Sequence, residues 1–80
     1  MVEGMDLSRL DALSPRQREV LSLTAEGKGP LEVAQQMGVS PKTVESFVNG
    51  INKKLGTKSR LQAVVFYYKA RLRDAGQETR

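Results

Sequence analysis

The sequence predicts an all-α domain of four helices. Its 80 residues suffice for one small domain with a modest hydrophobic core. Apolar residues recur every three to four positions along most of the chain, which is the spacing of an amphipathic helix. All three prolines, at positions 15, 30 and 41, stand where a helix can begin, because proline fits the first helical turn.

Residues 1–12 are mixed in character and are predicted to be an amino-terminal arm or linker. A first helix then begins at Ser14 and Pro15, where Ser14 can cap the helix and Gln17 can complete a capping box. Gly27 is placed to end this helix in a left-handed conformation. The inner face of the helix comprises Val20, Leu21, Thr24 and Ala25.

A second helix of about two turns begins at Pro30 and ends before Gly38. Ser40 and Pro41 start a third helix after so short a turn that the two helices must cross steeply, which is the helix-turn-helix geometry. The inner face of the second helix is Val33, Ala34 and Met37. Three residues complete the helix-turn-helix pattern. Ala34 is small enough for the crossing of the two helices, Gly38 fits the turn, and Val44 is an aliphatic residue under the third helix.

The third helix, predicted over residues 40–55, divides into two faces. Its inner stripe is Val44, Val48, Ile51 and Leu55, with Phe47 at the edge. Its outer face is short, polar and partly cationic, and consists of Lys42, Ser46, Asn49 and Lys53, flanked by Glu45. A helix that reads the major groove of DNA needs this division, because its outer side chains contact bases while its inner face stays fixed. An ordinary amphipathic surface helix is the alternative.

The fourth helix is predicted to start at Ser59, which can form a second capping box with Gln62, and to end near Arg73. It is apolar on two sides. One stripe is Ala63, Val64 and Tyr67, and the other, about 130° away, is Leu61, Val65, Tyr68 and Leu72. Since a small core needs one stripe, the second is predicted to bind a partner. The alternative is that the second stripe packs on Leu7 and Leu10 of the arm.

The net charge of +4 is distributed unevenly along the chain. Residues 41–73 contain eight basic residues and one acidic residue, a net charge of +7. Residues 1–40 carry a net charge of −2, and residues 74–80, predicted to be a flexible carboxy-terminal tail, carry −1. A local positive patch is expected of a phosphate-binding surface, although a solvated helix face would look similar.

The chain contains no Cys and no His. This composition excludes disulfides and cysteine or histidine metal ligands, and it leaves no convergent acid, base and nucleophile for catalysis. No apolar run approaches the roughly 20 residues that span a bilayer, and the amino terminus lacks a signal-peptide pattern. We therefore expect a cytoplasmic protein that is not an enzyme, with no cofactor, metal, membrane partner or small-molecule site.

Residues 13–68 resemble the DNA-binding domain of the LuxR/GerE family of bacterial transcription regulators. The matching segments are LSPRQREVLSLTAEG at 13–27, EVAQQMGVSPKTV at 32–44, Ile51 with KKLG at 53–56, and SR with QAV within 59–64. The resemblance implies a domain over residues 13–73, a third helix that enters the major groove of double-stranded DNA, and a fourth helix that forms a two-fold homodimer. It also implies a stand-alone regulator or the output domain of a response regulator, with RNA polymerase as a further candidate partner.

The resemblance further implies roles for individual residues. The base-contacting positions correspond to Glu45, Ser46 and Asn49. The phosphate-contacting positions correspond to Lys42, Thr43, Lys53, Lys58 and Arg60. The dimer contact is assigned to the second apolar stripe of the fourth helix, Leu61, Val65, Tyr68 and Leu72, because this stripe is the surplus apolar face. The sequence departs from the common family residues at three positions of the third helix, Glu45, Phe47 and Gly50, which puts its base preference in question. Pro30 and Leu31 also replace commoner polar residues on the second helix, where the expected effect is local.

Two other classes of function stay open. A module like sigma-factor region 4 would also place a helix-turn-helix on promoter DNA, as part of RNA polymerase, but a strongly hydrophobic fourth helix argues against it. The other class is a helix-turn-helix that binds protein. Two residues of the third helix favour this class. Glu45 would place a negative charge close to the polyanionic duplex, and Gly50 destabilises the helix by about 1 kcal/mol relative to alanine.

Overall fold

The structure, a computed structural model, describes residues 6–78, and the side chains of residues 6–75. All of the secondary structure in this part of the chain is helical, which confirms the predicted all-α class. A short 3-10 helix comes first and four α-helices follow. They are the 3-10 helix Leu7–Ala12, α1 Pro15–Ala25, α2 Pro30–Met37, α3 Pro41–Leu55 and α4 Arg60–Glu78.

The predicted helix starts are stabilised by hydrogen bonds from serine caps. At α1, Ser14 Oγ accepts the N–H of Gln17 at 3.1 Å, and Gln17 Oε1 accepts the N–H of Ser14 at 2.9 Å, so the capping box is complete. At α3, Ser40 Oγ accepts the N–H of Thr43 at 3.1 Å. Proline occupies the first turn of α1, α2 and α3.

The turn between α2 and α3 spans residues 38–40 and depends on Gly38. Gly38 has φ 69°, in the left-handed region that glycine adopts without steric cost. This conformation lets the N–H of Val39 donate to the carbonyl oxygen of Ala34 at 3.0 Å, which closes the end of α2. Ala34 and Val44 are both buried where the two helices meet, as the helix-turn-helix pattern predicts.

A single core joins all five helices. It is lined by apolar residues that the helical spacing places inside: Val20, Leu21 and Ala25 of α1, Val33, Ala34 and Met37 of α2, and Val44, Ile51 and Leu55 of α3. Phe47 and Val48 of α3 are half-buried against this core. The side of α3 opposite the core is therefore held at a fixed orientation relative to α1 and α2.

Residues 7–12 of the predicted arm form the 3-10 helix, which packs against α3 and α4. Leu10 is buried in the core, and its carbonyl oxygen accepts a hydrogen bond from Arg18 of α1 at 3.1 Å. Asp6 caps the 3-10 helix by accepting from the hydroxyl and the N–H of Ser8, and these bonds lower the pKa of the Asp6 carboxyl. Residues 1–5, also assigned to the arm, lie outside the described residues.

The inner face of α4 differs from the prediction. It is centred on Ala63, Phe66 and Ala70, all buried, while Val64 and Tyr67 are only half-buried at its edge. Phe66, which the sequence analysis assigned to neither stripe, is among the largest fully buried side chains. The prediction of Ala63 was correct, but it missed Phe66 and Ala70. Apolar residues surround most of this helix, so the helical period alone does not select the centre of the buried side.

The end of α4 also differs from the prediction. The helix continues to Glu78 instead of stopping near Arg73, so residues 74–78 of the predicted tail are helical. Alanine, glutamine and glutamate in this segment are good helix formers, and the single Gly76 costs only about 1 kcal/mol relative to alanine. No helix in the described part of the chain is long and apolar enough to cross a membrane.

Candidate nucleic-acid interface

The outward face of α3 carries the residues that the sequence predicts to contact bases. Glu45, Ser46 and Asn49 are exposed, while Val44, Ile51 and Leu55 are buried on the opposite side. The core thus anchors one side of the helix and leaves the other side free to enter a groove. Short polar side chains on a rigid helix are the arrangement that direct reading of base edges requires.

A groove of about 540 Å³ borders this face. It lies between the first turn of α2, the exposed side of α3 and the first turn of α4. The groove brings together four of the predicted contact residues, Lys42, Glu45, Asn49 and Arg60, with Pro30 at its edge. Two cations therefore lie on the same surface as the acidic Glu45, and a duplex that follows this groove would meet both charges.

The predicted phosphate-contacting residues lie at the two ends of α3 and at the start of α4. Lys42 and Thr43 belong to the first turn of α3, and the hydroxyls of Thr43 and Ser40 lie 3.0 Å apart. Lys53 is in the last turn of α3, and Lys58 and Arg60 border the start of α4. All five predicted residues are exposed.

The basic side chains of this set carry uncompensated charge. Among the residues whose side chains are described, ion pairs form at Arg18, Lys28 and Arg73, and none involves a predicted phosphate contact. Positive charge that has no ion-pair partner among the described residues stays available to a polyanion. The net charge of +7 over residues 41–73 comes from α3, from Lys58 in the connection that follows it, and from α4.

The sequence did not predict a contact between α1 and α3 that involves Gln17 and Gly50. Gln17 of α1 lies beside α3, where its Oε1 atom accepts a hydrogen bond from Lys54 Nζ at 2.9 Å. Gly50 lies at the same contact, because a Cβ atom on this residue would come within 2.9 Å of Gln17 Nε2. The sequence signals Gln17 as a helix cap and Gly50 as an unusual helical residue, but it does not indicate that they touch.

A second exposed surface lies on α4 and has a different chemistry. The apolar stripe Leu61, Val65, Tyr68 and Leu72 is 72%, 39%, 48% and 68% exposed, respectively. The 3-10 helix packs on another side of α4, so the alternative in which Leu7 and Leu10 cover this stripe is wrong. The stripe and the outer face of α3 are therefore both open to solvent in the single chain.

The two surfaces differ in the groups that they present. Within the part of the chain that the structure describes, no three carboxylate, imidazole or thiol groups converge in a way that could hold a metal ion. The side-chain nitrogen and oxygen atoms buried in this part all have hydrogen-bond partners. The surface on α3 presents polar and cationic groups, and the surface on α4 presents apolar groups.

Comparison with known proteins finds similarity to bacterial transcription regulators. A family model described as "Bacterial regulatory proteins, luxR family" matches residues 11–67. The "Transcriptional regulatory protein DesR" of Bacillus subtilis (strain 168) is 37% identical over 57 residues, which cover 71% of this chain and 29% of that protein. The "Transcriptional activator protein SolR" of Ralstonia nicotianae is 44% identical over 54 residues, which cover 68% of this chain and 23% of that protein.

A third relative is the "Oxygen regulatory protein NreC" of Staphylococcus aureus (strain JH9). It is 43% identical over 60 residues, which cover 75% of this chain and 28% of that protein. The match therefore spans between 23% and 29% of the length of these three relatives.

Proposed function

Because the chain belongs to the luxR family of bacterial regulatory proteins, we propose that it binds double-stranded DNA in the bacterial cytoplasm and so regulates transcription. The observation that carries the proposal is the division of α3 into a buried apolar side and an exposed polar side. In this proposal α3 enters the major groove, and α2 crosses the phosphate backbone.

Three residues on the outer side of α3 read bases. Asn49 suits adenine, to which an amide can form two hydrogen bonds, and Ser46 can donate or accept. Glu45 accepts from the amino group of cytosine or adenine and repels bases that present only acceptors. The exposure of all three side chains beside the groove supports this assignment.

Phosphate contacts hold α3 in register. Lys42 and Thr43 lie at the amino terminus of α3, where the helix dipole also favours a phosphate. Lys53, in the last turn of α3, and Lys58 and Arg60, beyond its end, supply a second group of contacts. Their lack of acidic partners within the described residues supports this role, because each can release counterions when it meets a phosphate.

The protein acts as a homodimer through the apolar stripe of α4. Leu61, Val65, Tyr68 and Leu72 are exposed on a helix that a domain of this size has no further layer to cover. A two-fold pair would set two copies of α3 about one DNA turn apart, roughly 34 Å, and would require an inverted repeat. Contact of the regulator with RNA polymerase belongs to this proposal as well.

A binding assay across a series of salt concentrations tests the proposal. A random-sequence duplex and a single strand of the same length serve as probes. Tight duplex binding that weakens steeply with salt is the expected result, and a selection from a random library should then return an inverted repeat. Absence of duplex binding at low salt would rule out the proposal.

One observation favours the alternative in which the helix-turn-helix binds protein. Leu31, in the first turn of α2, is 70% exposed next to Pro30, which borders the groove on α3. An apolar side chain at this edge would suit a protein partner better than a phosphate backbone. The same assay decides, since a protein-binding module would retain no salt-dependent affinity for the random duplex.

A further inference from the structure

The side-chain amide of Gln17 connects α1 with α3 through its oxygen atom. Gln17 Oε1 accepts hydrogen bonds from the N–H of Ser14 and from Lys54 Nζ, each at 2.9 Å. Both partners are donors, so the oxygen must face them and the orientation of the amide is determined by the hydrogen bonds. The amide nitrogen consequently points away, and among the described residues it has no hydrogen-bond acceptor.

Gly50 determines where this nitrogen can lie. A Cβ atom on residue 50 would come within 2.9 Å of Gln17 Nε2, which is closer than real Cβ contacts allow. Because glycine has no side chain, the surface of α3 has a notch at Gly50, and the amide of Gln17 occupies this notch. On the helical surface Gly50 is a neighbour of Ser46, four residues before it, and of Lys53, three residues after it.

We infer that Gln17 is a further DNA-contacting residue, which donates a hydrogen bond from Nε2 to a phosphate oxygen of the duplex across the notch at Gly50. The inference rests on the proposed binding of DNA by α3. A phosphate is the acceptor because the amide lies at the flank of α3 on the side of Lys53, away from the centre of the base-reading face.

This contact adds to the proposed phosphate contact of Arg60, which also lies outside α3. Arg60 lines the groove together with Glu45, whereas Gly50 lies about 140° from Glu45 around α3 by the helical period. A hydrogen bond from Gln17 therefore joins the duplex to α1 on a different flank of α3. With phosphate contacts on two flanks, the domain cannot rotate on the duplex about the axis of α3, and Asn49 is positioned over its base.

The substitution Gln17→Glu is the direct test. Glutamate has the same shape and keeps an oxygen acceptor for Ser14 and Lys54, so the capping box and the fold are retained. It replaces the donor by an oxygen that repels phosphate. The expected result is binding to a random duplex weakened by about tenfold or more at a fixed salt concentration, since hydrogen bonds to charged groups are strong.

Lys69→Gln is the matched control. The substitution lowers the net charge by the same amount, at a residue of α4 that lies nine residues, about 14 Å along the helix axis, beyond Arg60. It should weaken binding by less than about threefold, because one charge farther than a Debye length is largely screened. If Gln17→Glu weakens binding no more than Lys69→Gln in a wild-type background that binds DNA, the inference is wrong and the proposed function stands. If the wild type fails to bind, the proposed function itself fails.

Gly50→Ala supplies an independent variant. Alanine is the better helix former, and the displaced atom is the end of a flexible side chain, so the fold tolerates the change. The added methyl group should push the amide from the notch and weaken binding several-fold. In a Gln17→Glu background the same substitution should have little further effect, because the contact is already lost. Additive losses in the double variant would contradict the coupling of the two residues.

Discussion

The phenolic hydroxyl of Tyr68 on α4 donates a hydrogen bond to the carbonyl oxygen of Ala25 in the last turn of α1. Tyr68 nevertheless stays 48% exposed, and its ring packs edge to face on Tyr67, with the ring centres 5.9 Å apart. A residue of the exposed stripe is therefore held in position before any partner binds. Pre-organisation of this kind lowers the entropy that pairing costs.

Val65→Glu should prevent pairing through α4. Two copies of the variant would bury like charges across the two-fold axis, at a position that is 39% exposed in the single chain. We expect the variant to stay folded, to keep weak non-specific binding, and to lose the preference for an inverted repeat over a single half-site. The ratio of the two dissociation constants, from gel-shift titrations with both duplexes, measures this loss.

Gln62→Glu is the control for that experiment. It introduces the same charge on α4 outside the stripe, and its carboxylate can still accept the N–H of Lys58 that Gln62 Oε1 accepts at 2.8 Å. The control should keep the preference for the inverted repeat. Unfolding of Val65→Glu, seen by circular dichroism, would instead show that Val65 is needed for the core of the single chain.

Lys53→Ala should weaken binding to all DNA sequences alike. If Lys53 contacts a phosphate, its removal decreases the steepness of the plot of log binding constant against log salt by about 0.9. Lys69→Ala is a suitable control, because Lys69 lies on α4 nine residues beyond Arg60. An equal change in both variants would indicate a general charge effect and would remove Lys53 from the set of contacts.

Asn49→Ala should relax base preference without a large loss of non-specific affinity. A good two-bond contact between an amide and adenine contributes about 1–3 kcal/mol of discrimination. A binding-site selection with the variant should therefore lose information at one base pair in each half-site. Lys53→Ala provides the contrast, since it should return the wild-type motif at lower affinity. The wild-type motif recovered with Asn49→Ala would mean that this residue does not read a base.

The two sides of α4 should respond differently to truncation. Phe66 is 1% exposed, and Phe66→Ala should lower the free energy of unfolding by about 3–5 kcal/mol, a large share of the stability of so small a domain. Leu72 is 68% exposed, so Leu72→Ala should change the stability of the single chain by less than about 0.5 kcal/mol. Urea denaturation of dilute protein measures both. Comparable losses would mean that Leu72 is buried in solution.

The helices and turns were largely predictable because their signals are local. Ser14, Ser40 and the prolines that follow them mark helix starts by the chemistry of a single turn, and Gly38 marks a turn by its positive φ. The inner faces of α2 and α3 were predictable because each helix has one apolar stripe at helical spacing. These features need no knowledge of the rest of the chain.

Other features depend on contacts between distant segments and were not predictable. The burial of Phe66 over Tyr67 is decided by how α4 lies on α1 and α3, which the spacing of its many apolar residues leaves open. The contact between Gln17 and Gly50 joins residues on two different helices. The sequence indicates Gln17 only as part of the capping box of α1 and Gly50 only as an unusual helical residue, so neither position predicts the contact. The DNA contacts themselves stay predictions.

The connections between the α-helices are short, at residues 26–29, 38–40 and 56–59. Helices that are neighbours in the chain therefore pack with little loop closure, and domains in which local contacts dominate fold in roughly microseconds to milliseconds. A molecule that unfolds transiently regains the outer face of α3 on that timescale. The free energy of unfolding sets the fraction of copies competent to bind at any instant. Fast folding sets the recovery time, which is far shorter than the synthesis of a replacement chain.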